Sequence, residues 1–544
     1  MPNSDSMRGA DRVAQTLSAA GVDTVFAMSG NQIMVAFDAF LDAQIRIVHI
    51  RHEAAAVHMA DAWAQLNGAV GIALVPAGPG FANALSALYS AQMAESPIVL
   101  LSGHAPAGRI GMGAFQEMPQ AEMGSHFAKE SWMVETADDV APAIAKAIRA
   151  ARSGRPGPVH LALPFDVLCA QANGAAPAAP DDFAAAPSSL TDDVAKKALD
   201  GLAAAARPMI LVGPTFARGT GAQAAQRLEA AAGIPVVCSE SPRGTNDPSL
   251  GAFAEVLKEA DLVLSVGKKL DFTVQLGAAM ADNSAVIHFD PDLLELNRSK
   301  DIFGNRLALS AETDAIPAAE RLTALVNGGV GADSGWTDEV KAAVAHRPAE
   351  WSTLSSDPNG PLHPVELCRT VQAKLDSSPD SVLIVDGGEF GQWAQACLTA
   401  PNRIINGPGG AIGAGIPFVV AAGLAKPDVP VIALMGDGST GFHLSELDTA
   451  ARSDSRFVLI VGNDARWNAE YQIQLRDFGP QRMIGCELNA TRYDQVATAL
   501  GCYGAHVERP EEMAPALDAA LASGRPACLN VSIESHPAPT VRRG

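Results

Sequence analysis

Short runs of apolar residues recur along this chain, separated by amphipathic stretches of helical length. The strand-like runs are IRIVHI (45–50), GIALVPA (71–77), SPIVLLSG (96–103), PMILVG (208–213), LVLSVG (262–267), AVIHFD (285–290), SVLIVDG (381–387), PVIALMG (430–436) and FVLIVGN (457–463). Apolar strands alternating with amphipathic helices predict parallel α/β sheets. Two stretches rich in Ala, Pro and Asp, 171–190 and about 333–362, read as linkers. They divide the chain into three units of similar size, 1–170, 190–330 and 360–535. The first and third resemble each other loosely, each with strands ending in Gly-rich turns and an acid near a strand end. The tail SHPAPTVRRG is expected to be mobile.

Composition narrows the partners. At 544 residues the chain is too long for one hydrophobic core. Its formal net charge of −21 argues against nucleic acid or an anionic membrane as the main partner. The N-terminus MPNSDSMRGADR lacks the apolar core of a signal peptide, and AIGAGIPFVVAAGLA (411–425) is short for a membrane span. The seven cysteines form no CxxC pair and predict neither a zinc site nor a disulfide framework. Buried thiols in a reducing cytoplasm are the expectation, with no nucleic-acid or membrane partner.

One motif carries candidate chemistry. In MGDGST (435–440) an aspartate sits between glycines after a strand-like run, and FHLSELDTAARS (442–453) reads as the following helix. Asp464, in NDARW, follows the next strand 27 residues later. One right-handed crossover would bring both carboxylates to the same sheet edge, where α/β proteins bind ligands. Two close carboxylates repel unless a proton or cation lies between them. Mg²⁺ takes carboxylates, carbonyls and phosphate oxygens together. Asp437 would then hold a metal and the metal a diphosphate, with Gly436, Gly438 and Ser439 adding donors. The plainer alternative is a DG turn with Asp437 capping a helix. No Walker A sequence is present, which disfavours nucleotide hydrolysis.

GDGST…IVGND resembles the cofactor motif of the thiamine diphosphate (ThDP) enzymes related to acetolactate synthase, benzaldehyde lyase and 2-hydroxyacyl-CoA lyase. The resemblance covers residues 8 to 535 and implies three doubly wound parallel-sheet domains: pyrimidine-binding (1–170), central (190–330) and diphosphate-binding (360–535). It implies Mg²⁺ bound by Asp437, Asp464 and the carbonyl of Arg466, with Trp467 beside them at the cofactor. Asp464 departs from the asparagine usual there. IRIVHIRHEAAAVHMADAWAQ (45–65) resembles the family's strand–HE–helix pattern and makes Glu53 the partner of the cofactor's aminopyrimidine. That contact would stabilise the imino tautomer and so promote a nucleophilic C2 ylid. MGAFQEMPQ (112–120) and AMSGNQIM (27–34) resemble active-site loops and offer Gln116 and Gln32 to an adduct oxygen; the second loop carries no histidine. GPGGAIGAGIPF (407–418) resembles the segment that bends the cofactor, with the Gly410 carbonyl and the Ile412 wedge. VDGGEFGQW (385–393) resembles a diphosphate loop and offers Gly388 and Glu389.

The implied activity is a carbon–carbon lyase or carboligase acting on small 2-oxo acids or 2-hydroxy ketones through an ylid and an enamine. The alternative is a 2-hydroxyacyl-CoA lyase or oxalyl-CoA decarboxylase-like enzyme, and a non-catalytic ThDP-binding protein is a third reading. FAD or ADP in the central unit is possible for the family but not favoured, because GxGxxG is absent; Lys268, Lys269 and Arg218 are its candidate basic residues. In such enzymes the first domain of one subunit faces the third of another, so a homodimer or homotetramer is implied.

Overall fold

The computed structural model describes residues 7–173, 180–326, 330 and 335–543. Three parallel sheets carry the chain. The first has six strands in the order Arg46–His49, Thr24–Ala27, Gly71–Val75, Ile98–His104, Val159–Pro164, Glu130–Met133. The third also has six: Asn402–Ile405, Val382–Asp386, Val431–Gly436, Val458–Asn463, Ala527–Ser532, Tyr503–Val507. Numbered in sequence order within each sheet, both read 2-1-3-4-6-5. The loose likeness between the two ends of the chain is therefore an identity of topology. The middle sheet has five strands, Val236–Cys238, Pro208–Val212, Leu262–Val266, Ala285–Asp290 and Leu307–Glu312.

The central strands are buried on both faces, which is why they are apolar throughout rather than alternating. Leu383, Val385, Ile432, Leu434, Ile460 and Leu529 form the core beneath the third sheet. One two-stranded antiparallel pair, Met7–Arg8 with Gln171–Ala172, adds to the parallel plan.

Contact density divides the chain into two compact units. One contains residues up to Ala186 together with Val420–Ala425 and Ser445–Ser453; the other contains the middle and third sheets. Among the described residues, no helix is long and apolar enough to cross a membrane, and Gly415–Ala425 is a helix of 11 residues.

Four local expectations need correction. The stretch 442–453 is helical only from Glu446 to Ser453, because Phe442–Ser445 is a turn. The stretch 333–362 contains the helix Trp336–Ala345. Trp336 is buried there, donates from Nε1 to the Pro208 carbonyl at 2.8 Å and is stacked by Arg207. A tryptophan with a satisfied N–H anchors a short helix that Ala-rich composition hides. The tail is not loose: Trp393 Nε1 donates to Pro537 O (3.0 Å), His346 contacts Arg542 O (2.9 Å), and Arg543 pairs with Glu255 (3.1 Å). Finally, Cys368, Cys486, Cys502 and Cys528 are buried, but Cys169 is exposed and Cys238 and Cys397 are half-buried. The middle of the 171–190 stretch, 174–179, lies outside the described residues.

Candidate active site

Three neighbouring strands of the third sheet end in acids. Asp386 closes Val382–Asp386, Asp437 follows Val431–Gly436, and Asp464 follows Val458–Asn463. Their register pairs Asp386 with Met435 and Gly436 with Gly462, so the three strands finish together at one edge. A cavity of about 360 Å³ opens there. The residues of the third unit expected to bind cofactor or metal all line it: Gly388, Glu389, Gly410, Ile412, Gly436, Asp437, Gly438, Ser439, Asp464, Arg466 and Trp467.

The close backbone packing depends on glycine. A Cβ on Gly387, whose φ is +95°, would meet Ser439 Oγ at 2.3 Å. One on Gly438 would meet the Trp467 ring at 2.7 Å. The Asp437 turn is held from behind by Tyr493, whose hydroxyl donates to the Asp437 carbonyl at 3.0 Å. Asn463 does not face the cavity. It bonds Thr491 O and Asn530 Oδ1, each at 3.0 Å, and accepts the Ala465 N–H at 3.1 Å. It thereby shapes the loop that presents Asp464.

Ala465 is left-handed (φ 56°). Beyond it, Leu488 N–H bonds Ala465 O (2.7 Å) and Trp467 N–H bonds Cys486 O (2.8 Å), making an antiparallel bridge between Arg466 and Glu487. In such a bridge the middle residue's own N–H and C=O point away from the ladder. The Arg466 N–H goes to the Asp437 carboxylate. Its carbonyl shares that side and is left to the cavity.

Electrostatics set this site apart. Burial, then the Asp464 charge, push Asp437 up to about 7. Its Oδ2 is buried without a hydrogen-bond partner. Asp464 is raised by burial, against the opposing Ser535 hydroxyl. Glu389 is raised by burial and by Glu470 and Asp464; Arg243 opposes this. A buried, partnerless carboxylate oxygen beside a second carboxylate is costly unless a cation joins them. Two carboxylates with a free carbonyl make an all-oxygen set of the kind hard divalent ions take. The residues present thus fit Mg²⁺ at this position.

Asp386 is fully buried and raised by desolvation to about 6. Its Oδ2 accepts the N–H groups of Gly413 (2.9 Å) and Gly415 (2.7 Å), tethering the loop that carries Gly410 and Ile412. Glu534 and His536 also line the cavity. With His363 they bring possible ligand atoms within 4.8 Å of one another. However, His363 Nδ1 accepts the Val365 N–H (3.1 Å), leaving the neutral ring's proton on Nε2, and His536 sits 2.6 Å from Glu534. The trio is already hydrogen-bonded rather than open to a metal. His443 is buried and is not among the cavity's lining residues.

The remaining predicted residues belong to the first unit. Glu53 opens the helix Glu53–Asn67 and accepts a hydrogen bond from Asn83 Nδ2 at 2.9 Å. Gln32 Nε2 donates to Gln116 Oε1 at 2.8 Å, so the two expected glutamines do meet, and Gln116 is left-handed (φ 59°). The loop 27–34 contributes no histidine of its own, but His49, at the end of the neighbouring strand, places Nε2 3.2 Å from Ser29 Oγ. Sequence reasoning missed that contact, as it missed Tyr493, Asn463 and Asp386. Only the order of strands reveals the first, and nothing local marks the others. In the middle sheet domain, Lys268 is buried and donates to Thr273 (2.6 Å), and Lys269 lies 3.9 Å from Glu295. Both lysines are engaged within their own fold.

Comparison with known families decides the family. The models for the thiamine pyrophosphate enzyme N-terminal TPP binding domain, central domain and C-terminal TPP binding domain match residues 7–123, 195–309 and 386–531. The chain belongs to the thiamine pyrophosphate enzymes. Within that family it is similar to a probable acetolactate synthase of Mycobacterium bovis, at 31% identity over 97% of this chain and 96% of the relative. It is also similar to 2-hydroxyacyl-CoA lyase 2 of Caenorhabditis elegans, at 31% over 94% and 87%. The human 2-hydroxyacyl-CoA lyase 2 matches at 30% over 93% and 86%. This is a ThDP-dependent enzyme by family. These relatives carry different activity names.

Proposed function

We propose that this thiamine pyrophosphate enzyme is a Mg²⁺-dependent carbon–carbon lyase or carboligase acting on small 2-oxo acids or 2-hydroxy ketones. The observation that carries the reading is the pairing of buried Asp437 with half-buried Asp464, with Asp437 Oδ2 unpartnered and the Arg466 carbonyl turned off its ladder. In this reading Asp437, Asp464 and the Arg466 carbonyl hold Mg²⁺. Gly388, Glu389, Gly436, Gly438, Ser439 and Trp467 enclose the diphosphate, and Gly410 and Ile412 meet the rings. When bound, the cofactor supplies a thiazolium able to stabilise carbanionic charge on a carbonyl substrate. Glu53, its carboxylate oriented by Asn83, would hold a proton at the cofactor's pyrimidine nitrogen. Gln116, braced by Gln32, offers amide hydrogen bonds to a substrate oxygen. The three segments 1–170, 190–330 and 360–535 act as pyrimidine, central and diphosphate domains. Glu53 of one chain and Asp437 of another serve one cofactor, so the working form is a homodimer or larger.

The test is a panel of 2-oxo acids, acyloins and 2-hydroxyacyl-CoA thioesters with added ThDP and Mg²⁺, following CO₂, aldehyde and carbon–carbon products. Cofactor alone is expected to stabilise the protein by about 2.7 kcal/mol at a hundredfold excess over Kd. No ThDP-dependent stabilisation would sink the reading. Turnover confined to the thioesters would instead support the second reading, a 2-hydroxyacyl-CoA lyase. That reading is favoured by the AFQExPQ segment and by the lyase relatives.

A smaller effect is expected at position 464. Asp464→Asn removes the charge that helps to raise Asp437. Cofactor loading should persist, with its pH midpoint lowered by about one unit. Titrating ThDP–Mg²⁺ affinity from pH 5 to 8 checks this, and an unchanged midpoint would contradict it.

A further inference from the structure

We propose that Glu446 is the positioning residue for Glu53, an inference that rests on the ThDP reading above. Glu446 opens the helix Glu446–Ser453, which packs in the same compact unit as the first sheet. Its side chain has no solvent exposure. A wholly buried carboxylate must find donors, and this one finds them in the segment before Glu53. Oε1 and Oε2 accept the Arg51 N–H at 3.0 and 3.2 Å, and the His52 N–H adds a second backbone donor. Thr449 Oγ1 donates to Oε2 at 2.7 Å and fixes the carboxylate from its own helix.

The rest of that helix closes over the same strand and turn. Arg452 donates to the His49 carbonyl at 2.8 Å, Arg46 to the Ser453 carbonyl at 2.8 Å, and Arg51 pairs with Asp448 at 3.1 Å. These outer contacts involve exposed groups, each worth little. Unlike these side chains, Glu446 holds backbone from the interior. His52 is the N-cap of the Glu53 helix and accepts the Ala54 N–H at 3.2 Å. A carboxylate gripping the N–H groups of Arg51 and His52 therefore fixes where the helix starts, and with it the origin of the Glu53 side chain. Asn83 orients the far end of that side chain. Glu446 holds the base and Asn83 the tip.

An amide at 446 keeps one acceptor but turns an NH₂ toward backbone donors, so the grip is halved without loss of volume. Glu446→Gln in the ThDP–Mg²⁺-loaded protein should slow hydrogen–deuterium exchange at the cofactor's C2 by about tenfold to a hundredfold. It should also weaken the near-ultraviolet circular dichroism of the imino tautomer. Cofactor Kd should stay within about threefold of the parent, because the diphosphate cavity is untouched. Thr449→Val, which removes only the hydroxyl brace, should slow exchange by a smaller factor and covers the case in which Glu446→Gln does not fold. Asp448→Asn, at the same packing surface but without a backbone grip, should exchange at the parent rate. The proposal is overturned if Glu446→Gln or Thr449→Val exchanges at the parent rate while Glu53→Gln does not. It is also overturned if exchange and cofactor affinity fall together. A parent protein that binds no ThDP would fail the cofactor reading itself, and the proposal would fall with it.

Discussion

Asp437→Asn is expected to make the cofactor-free protein more stable and the enzyme inactive. Asp437 ionises near 3.8 in an unfolded chain, but burial and the Asp464 charge raise it to about 7 in the fold. Between those values the folded protein keeps a proton that the unfolded chain has released. Stability of the cofactor-free protein therefore falls as pH rises through that window, and the full penalty is present above about 7. Asp386, raised to about 6, adds a loss of the same sign over the lower part of the window. Asparagine at 437 removes the larger contribution. Its expected gain is about 2 kcal/mol at pH 8, with none at pH 4. Melting curves of both proteins at the two pH values check this, and equal shifts at both would contradict it. In the same variant the thermal stabilisation by ThDP with Mg²⁺ should disappear, because the orphaned oxygen that a cation would satisfy is gone. The site is thus a case of local instability kept for binding, visible as opposite signs with and without cofactor.

Glu53→Gln is expected to lower kcat by about 10²–10⁴-fold, the usual contribution of one positioned acid–base group. Glutamine keeps the shape and can accept the Asn83 N–H as the carboxylate does. It cannot hold a proton at a ring nitrogen as a carboxylate does. Cofactor affinity should change only a few-fold, since the diphosphate and metal residues lie in another part of the chain. Turnover within a factor of about ten of the parent would remove Glu53 from its assigned role. A large rise in cofactor Kd would recast it as a binding residue.

Three strands of the third sheet and two of the acids at its edge, Asp437 and Asp464, are legible in the residue pattern alone, whereas Asp386 and the strands Asn402–Ile405, Tyr503–Val507 and Ala527–Ser532 are not. The run PVIALMG is apolar because its strand is buried on both faces, and the observed strand is Val431–Gly436. The spacing from Asp437 to Asp464 is one crossover, and their strands are adjacent and in register. Pattern misleads where local and tertiary preferences disagree. Residues 442–445 look helical, yet the chain turns there before Glu446 caps itself onto the first sheet. The polar tail resembles a mobile terminus, yet Arg543 and the Pro537 carbonyl have partners far away in sequence.

The sequence by itself determined the parallel α/β plan, nine of its strands and the one-crossover spacing of Asp437 and Asp464. Two-sided burial and the length of a crossover are written in local periodicity. The tertiary structure alone decided which carboxylates are desolvated and what each one holds. Asp437 is raised by burial and by its neighbour Asp464, Asp386 tethers two glycine N–H groups through Oδ2, and Glu446 grips backbone 395 positions away. These three acids look alike along the chain. Burial and distant donors, which no local pattern encodes, give them different work.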